Sequence, residues 1–241
     1  QADRSLFDAM HRHMLAGRNQ YAPMTGMPEL RQAIAAKIEA LYGTAYNPEA
    51  EITVTAGATQ ALFTAIAAFV RPGDEVIVPV PSFVCYGPLT TMAGGVPVLV
   101  ETRAEDSFRL TAEQLRAAIT PRTKALVLPF PNNPTGAVMG REDLEAIAEV
   151  LRGTDIMVIS DEVYERLLYD DAKHISIASL PGMKERTITL NGFSKAYSMT
   201  GWRLGYAACN EEIVKTVNKL HQHVVTCATS FVQKAGVVAL K

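Results

Sequence analysis

An α/β fold, with a mostly parallel central sheet covered by helices on both faces, is predicted by three observations. Short apolar runs rich in β-branched residues recur along the chain: ITVT, EVIVPV, VPVLV, KALVL, DIMVIS, TITL and finally RLGYAA. These runs lack the polar alternation of a half-solvated strand and therefore read as buried on both faces. Helical patterns fill the intervals between them, as a parallel sheet requires. No low-complexity linker or internal repeat interrupts the alternation. At 241 residues the chain can bury one sizeable core, and length alone permits one or two domains.

In chain order, His11 and His13 fall in a helical stretch, where residues two apart do not face each other, so they make no metal pair. Pro28–Tyr42 is the clearest helix: proline opens it, Leu30, Ile34, Ile38 and Leu41 form one apolar stripe, and Gly43 stops it. ITVT leads through a Gly-containing turn into a helix at Thr59–Val70, an arrangement that aims backbone N–H groups and the helix dipole at an anion. Further helices are expected at Thr111–Ile119, Arg141–Leu151 and Glu211–Gln222. KALVL closes with the turn PFPNNPTG, DIMVIS ends on Asp161 and Glu162, and TITL runs into a loop containing Lys195. Parallel sheets bind ligands beyond the carboxyl ends of their strands. The residues following TVT, VLP, VIS and TLN all fall there, which supports one shared site.

The segment TLNGFSKAYSMTGWRLGY, Thr189–Tyr206, is chemically the most specific. A lysine at a strand end among small residues is expected to be partly desolvated, which lowers its pKa and makes its amine nucleophilic. Arg203, eight residues after Lys195, can hold a phosphate oxygen bidentately. A Schiff-base lysine beside an anion clamp is a combination that pyridoxal 5′-phosphate (PLP) needs; the alternative is a surface lysine in a turn. A carboxylate at the end of a buried strand is costly without a cation. For Asp161 a protonated pyridine nitrogen would serve. Glu162 is expected to be an exposed or paired acid, and Trp202 to pack beside the Lys195–Arg203 loop. Tyr86 and Tyr197 either line the pocket or belong to core or interface.

Other chemistries find little support. His221 and His223 have no cysteine or carboxylate cluster beside them, so no metal is assigned. Ser82 and Ser198 have no identifiable histidine partner, which leaves a serine hydrolase unsupported. A net charge of −2 gives no sign of nucleic acid or anionic membrane as partner. The longest apolar run, Ala61–Val70, is ten residues, too short to span a bilayer. Cys85, Cys209 and Cys227 lack a CxxC and read as reduced thiols, which points to the cytoplasm.

Six stretches, NQYAPMTGMPELRQAIA, TAGATQAL, PSFVCY, PNNPTG, SDEVYERL and NGFSKAYSMTGWRLGY, together resemble the class I/II aminotransferases, the fold-type-I PLP enzymes. The resemblance runs through nearly the whole chain, and the wording is closest to the methionine-, kynurenine- and aspartate-type branch. It implies that residues 1–241 form a PLP-binding large domain that moves an α-amino group from an amino acid to a 2-oxo acid by a ping-pong mechanism. Lys195 would form the Schiff base and shuttle the proton. Asp161 would pair with the pyridine nitrogen, while Tyr164 and Asn133 bond the ring oxygen and Phe83 stacks on the ring. Ala58, Thr59, Ser194 and Arg203 would hold the phosphate, and Tyr21 would reach the phosphate of the partner in a homodimer with shared active sites. Gly192 departs from the pattern, since the family often has a phosphate-binding serine there. The family's N-terminal arm and small C-terminal domain, with an arginine for the substrate carboxylate, have no counterpart before or after these residues. The sequence is therefore expected to be a fragment, or another chain supplies that part. The same scaffold also serves PLP-dependent β-lyases and cyclases and non-catalytic PLP-sensing regulatory domains. An intact Asn133-Pro134-Thr135-Gly136 turn favours transfer over the lyases, and the absence of a leading helix-turn-helix, with the catalytic set kept together, speaks against a regulator.

Overall fold

The computed structural model describes residues 2–241. Eight α-helices and seven strands follow in order: α1 (Arg4–Leu15), α2 (Pro28–Tyr42), β1 (Ile52–Thr55), α3 (Ala58–Phe69), β2 (Glu75–Val80), α4 (Tyr86–Met92), β3 (Val96–Glu101) and α5 (Ala112–Ala118). The chain continues with β4 (Thr123–Leu128), α6 (Arg141–Leu151), β5 (Met157–Asp161), β6 (Thr187–Gly192), β7 (Gly205–Ala208), α7 (Glu211–Val224) and α8 (Ser230–Ala239). The strands form one seven-stranded sheet in the order β1-β7-β6-β5-β4-β2-β3. Pairings β2–β3, β2–β4 and β4–β5 are parallel, and β1–β7 is antiparallel. The α/β class expected from the strand patterns is thus the class observed.

The chain divides into two compact units, one of residues up to Thr64 with Leu190–Lys241, the other of Ala65–Thr189. In the first unit, α2 has the bounds its stripe and caps predict, with Gly43 in the left-handed region at φ 70°. Leu30, Ile34 and Ile38 are buried with β1, Phe193, Leu204 and Tyr206 in one core cluster. Leu41 is 42% exposed, so the stripe ends one member earlier than expected. Helix α1 begins at Asp3, whose carboxylate accepts from the Ser5 N–H at 2.8 Å, a favourable cap.

The second unit packs β2, β4 and β5 with α5 and α6 around Ile77, Leu115, Leu126, Leu144, Ile147 and Val158. Strand β3 departs from the expectation of burial on both faces: Val96 is 49% and Leu99 60% exposed. It lies at the end of the strand order and pairs only with β2. Helix α4 escaped the sequence reading because YGPLTTM carries a proline and two threonines, weak helix formers. Burial of Tyr86 and Thr90 holds it instead. Helix α8 escaped because SFVQKAGVVA has a central glycine. A Cβ at Gly236 would lie 2.6 Å from Leu204, so close packing uses the missing side chain.

Candidate active site

Two groups of candidate residues form, one in each unit. In the first unit, β1 ends at Thr55 and the chain turns through Gly57, at φ 85°, into α3. By helix geometry the leading N–H groups of α3, at Ala58 and Thr59, point out of the helix and carry its positive dipole end. The guanidinium of Arg203 lies against this turn, and a Cβ on Gly57 would sit 2.6 Å from Nη2. Gly57 is therefore required by its backbone angle, and an added Cβ would push the guanidinium aside. Arg203 is itself left-handed, at φ 53°, and its Nη1 donates to the Thr200 carbonyl at 2.9 Å. A non-glycine residue in that region costs on the order of 1 kcal/mol, offset by the packing that aims the side chain.

Strand β7 presses on the same turn. A Cβ on Gly205 would stand 2.5 Å from the Ala58 nitrogen and 2.6 Å from the Gly57 carbonyl carbon. Gly192, at the end of β6, would meet the Leu204 oxygen at 3.2 Å and Ala58 Cβ at 3.6 Å. A side chain there would press on the Leu204 carbonyl and only touch the helix start. Ser194 is half-buried and Lys195 exposed in the loop that follows. The sequence leads to the expectation of partial burial for Lys195; within this chain it is exposed. Trp202 packs on Phe7 of α1, with ring centroids 5.1 Å apart. Tyr21 is 86% exposed.

In the second unit, Asp161 ends β5 and is buried. Its Oδ2 accepts from Tyr86 Oη at 2.9 Å and its Oδ1 from the Val163 N–H at 3.3 Å. Desolvation holds its pKa above the ordinary carboxylate value despite these bonds, and the neighbouring Glu162 adds to the rise. Tyr86 is raised well above its usual value by burial and then by Asp161, so it remains a donor. Phe83 meets Tyr86 edge to face at 5.9 Å. Tyr86 is thus a polar buried residue tied to the site, not plain core.

Strand alternation sends Glu162 the other way. It is buried, not exposed, and fully engaged: Oε1 accepts from Ser160 at 3.0 Å and Ser176 at 2.7 Å, and Oε2 meets His174 Nε2 at 2.9 Å. His174 and Ser176 carried no motif that the sequence could reveal. In PNNPTG the two amides separate in role. Asn132 is buried and its Oδ1 accepts from the Thr135 hydroxyl at 2.9 Å, so it builds the turn. Asn133 is exposed and, with Tyr164, lines a groove of about 460 Å³.

A helix start with Arg203 packed against it, and a buried carboxylate with no cation bonded to it among the described residues, are features that a fold-type-I PLP protein would use. The sequence matches the aminotransferase class I and II family over residues 4–241, and the chain belongs to that family. It is 48% identical over 225 residues to an aspartate aminotransferase of Pyrococcus abyssi, covering 93% of this chain and 58% of the relative. An aspartate aminotransferase of Geobacillus stearothermophilus is 43% identical over 235 residues, covering 97% and 60%. The crystal structure of an aromatic aminotransferase from Pyrococcus horikoshii OT3 superposes with a TM-score of 0.97 at 45% identity, covering all of this chain and 65% of that one. The chain therefore spans about three fifths of the length of the curated relatives it matches. The family's cofactor is pyridoxal 5′-phosphate, and the residues fit it. The Arg203 guanidinium packed on Gly57 beside the leading N–H groups of α3 suits a phosphate, and buried Asp161 suits a pyridinium.

Proposed function

We propose that this chain is the PLP-binding large domain, residues 1–241, of an aminotransferase that moves an α-amino group from an amino acid to a 2-oxo acid. The observation that carries the reading is the Arg203 guanidinium packed on Gly57 at the start of α3, eight residues beyond Lys195. The cofactor supplies an aldehyde that takes up amines and a ring that accepts electrons. Lys195 Nζ would hold the aldehyde at rest and carry the proton during transfer. Asp161 would keep the ring nitrogen protonated, with Tyr86 orienting the carboxylate. Asn133 and Tyr164 would donate to the ring oxygen, and Phe83 would cover a ring face. Ala58, Thr59, Ser194 and Arg203 would bind the phosphate. Tyr21, exposed on its own chain, would complete the phosphate site of a second copy in a homodimer, and the three free cysteines suit the reducing cytoplasm. Its substrates are small molecules, an amino acid and a 2-oxo acid.

The test is borohydride reduction of the PLP-loaded protein followed by peptide mapping. The label should sit on Lys195 and vanish in a folded Lys195→Ala variant. A label on Lys124, Lys173 or Lys184 would overturn the assignment.

A further inference from the structure

Behind the phosphate turn lies a histidine that the reaction does not use. His221, on α7, is fully buried. Its Nδ1 lies 2.9 Å from Gln60 Nε2 and its Nε2 3.1 Å from the Met24 carbonyl oxygen. The surrounding bonds decide where every proton sits. Gln60 Oε1 accepts from the Ala56 N–H at 2.8 Å, so the other end of that amide is the NH2. The Thr64 hydroxyl donates to the Gln60 carbonyl at 2.7 Å and therefore accepts from Gln60 Nε2 at 3.2 Å. The second Gln60 N–H must then point at His221 Nδ1, which can only accept. The imidazole proton is left on Nε2, donating to Met24.

We propose that His221 is a positioning residue: as a neutral imidazole protonated on Nε2, it locks the phosphate turn through Gln60 and the Tyr21 loop through Met24. The inference rests on the cofactor reading above. On one side, Gln60 caps Ala56, the residue before Gly57, and so fixes the turn on which Arg203 rests. On the other, Met24 is three residues from Tyr21 in a segment also tied by Val54 N–H to the Thr25 carbonyl and Met27 N–H to Gln233. A second proton on His221 would set an N–H against the Gln60 NH2. The amide could answer only by rotating, which would take its oxygen from Ala56. The groups bonded to the ring, from α3 and from the Met24 segment, are Gln60 and a backbone carbonyl; neither is charged. Burial accordingly holds the His221 pKa below its ordinary 6.5.

Imidazole ¹⁵N NMR of the whole chain, without cofactor, should show His221 protonated on Nε2 alone at pH 7. A cation or an Nδ1–H tautomer would overturn the proposal. PLP affinity is the second readout. His221→Phe should weaken it roughly tenfold, the worth of one or two hydrogen bonds. Gln60→Met, at a half-buried position, should do the same if the histidine variant does not fold. His221→Asn, which can still offer Gln60 an acceptor, should recover part of the loss. The ratio of wild-type to His221→Asn affinity should shrink as pH falls below 6.5, since only the imidazole titrates. Unchanged affinity in the folded Gln60 and His221 variants would refute the role. Failure of the wild-type chain to take up PLP would instead refute the proposed function, and the NMR result would stand apart from it.

Discussion

Replacing Asp161 by asparagine should stabilise the cofactor-free protein while weakening its grip on PLP. The carboxylate is only 8% exposed, and its bonds come from Tyr86 and the Val163 N–H, both neutral. Burying an ion without a counter-charge costs several kcal/mol after relaxation. Two hydrogen bonds to an ionised acceptor return about 1.5–3 kcal/mol each at most. Asparagine keeps an acceptor for Tyr86 and sheds the charge but turns its NH2 toward the Val163 N–H, giving up that bond, so the net gain is about 1 kcal/mol at neutral pH, or roughly 2–4 °C in melting temperature for a chain of this size. The sign follows from the raised pKa. Asp161 takes a proton more readily folded than unfolded, so its contribution is fully present below the ordinary value of 3.8 and is lost as pH rises through the folded value. The advantage of the variant should therefore open with rising pH and close in acid. Calorimetry of both proteins at pH 4 and pH 8, with and without PLP, reads this directly. With PLP the order should reverse, because only the aspartate gains a cation from the ring. A cofactor-free Asp161→Asn that melts at or below wild type at pH 8 would refute the argument.

Tyr21→Phe should weaken PLP binding by about one to two powers of ten, the worth of one charge-assisted bond; mixing it with a Lys195→Ala partner in heterodimers locates the tyrosine's target. Glu162→Ala strands His174 and two serine hydroxyls at a buried site, and denaturant unfolding should show a loss of about 3–5 kcal/mol. Gly205→Ala drives a methyl against the backbone of Ala58 and should lower both stability and PLP affinity, whereas Gly201→Ala, with nothing within 4 Å, should leave both near wild type.

What the sequence made legible was periodicity and spacing. The bounds of α2 and α6 and the positions of all seven strands follow from apolar pattern and caps, which are local properties. Lys195, Asp161 and Arg203 stood out as candidates because each lies at the end of such a strand or in its connecting loop. The partners Tyr86, His174 and Ser176 were not assigned, because nothing near them in the chain announces a contact with a residue 75, 12 or 14 positions away. Exposure was also illegible: small neighbours around Lys195 suggested cover, yet cover depends on which other segments arrive. Strand β3 looked fully buried for the same reason, since hydropathy cannot tell an edge from a centre.

The antiparallel pairing of β1 with β7 has a further consequence for how the protein can vary. Its register sets Thr55 opposite Gly205 and Val54 opposite Tyr206. A slip of one residue would turn every β7 side chain to the other face. Tyr206 would leave the core where it meets Phe193, and Gly205 would no longer face the helix start. Core packing and cradle shape are thus specified by one ladder and cannot drift independently. Changes of length between β6 and β7 are then tolerated only if the loop absorbs them before Arg203, so insertions next to β7 should be harmful where insertions earlier in that loop are less so.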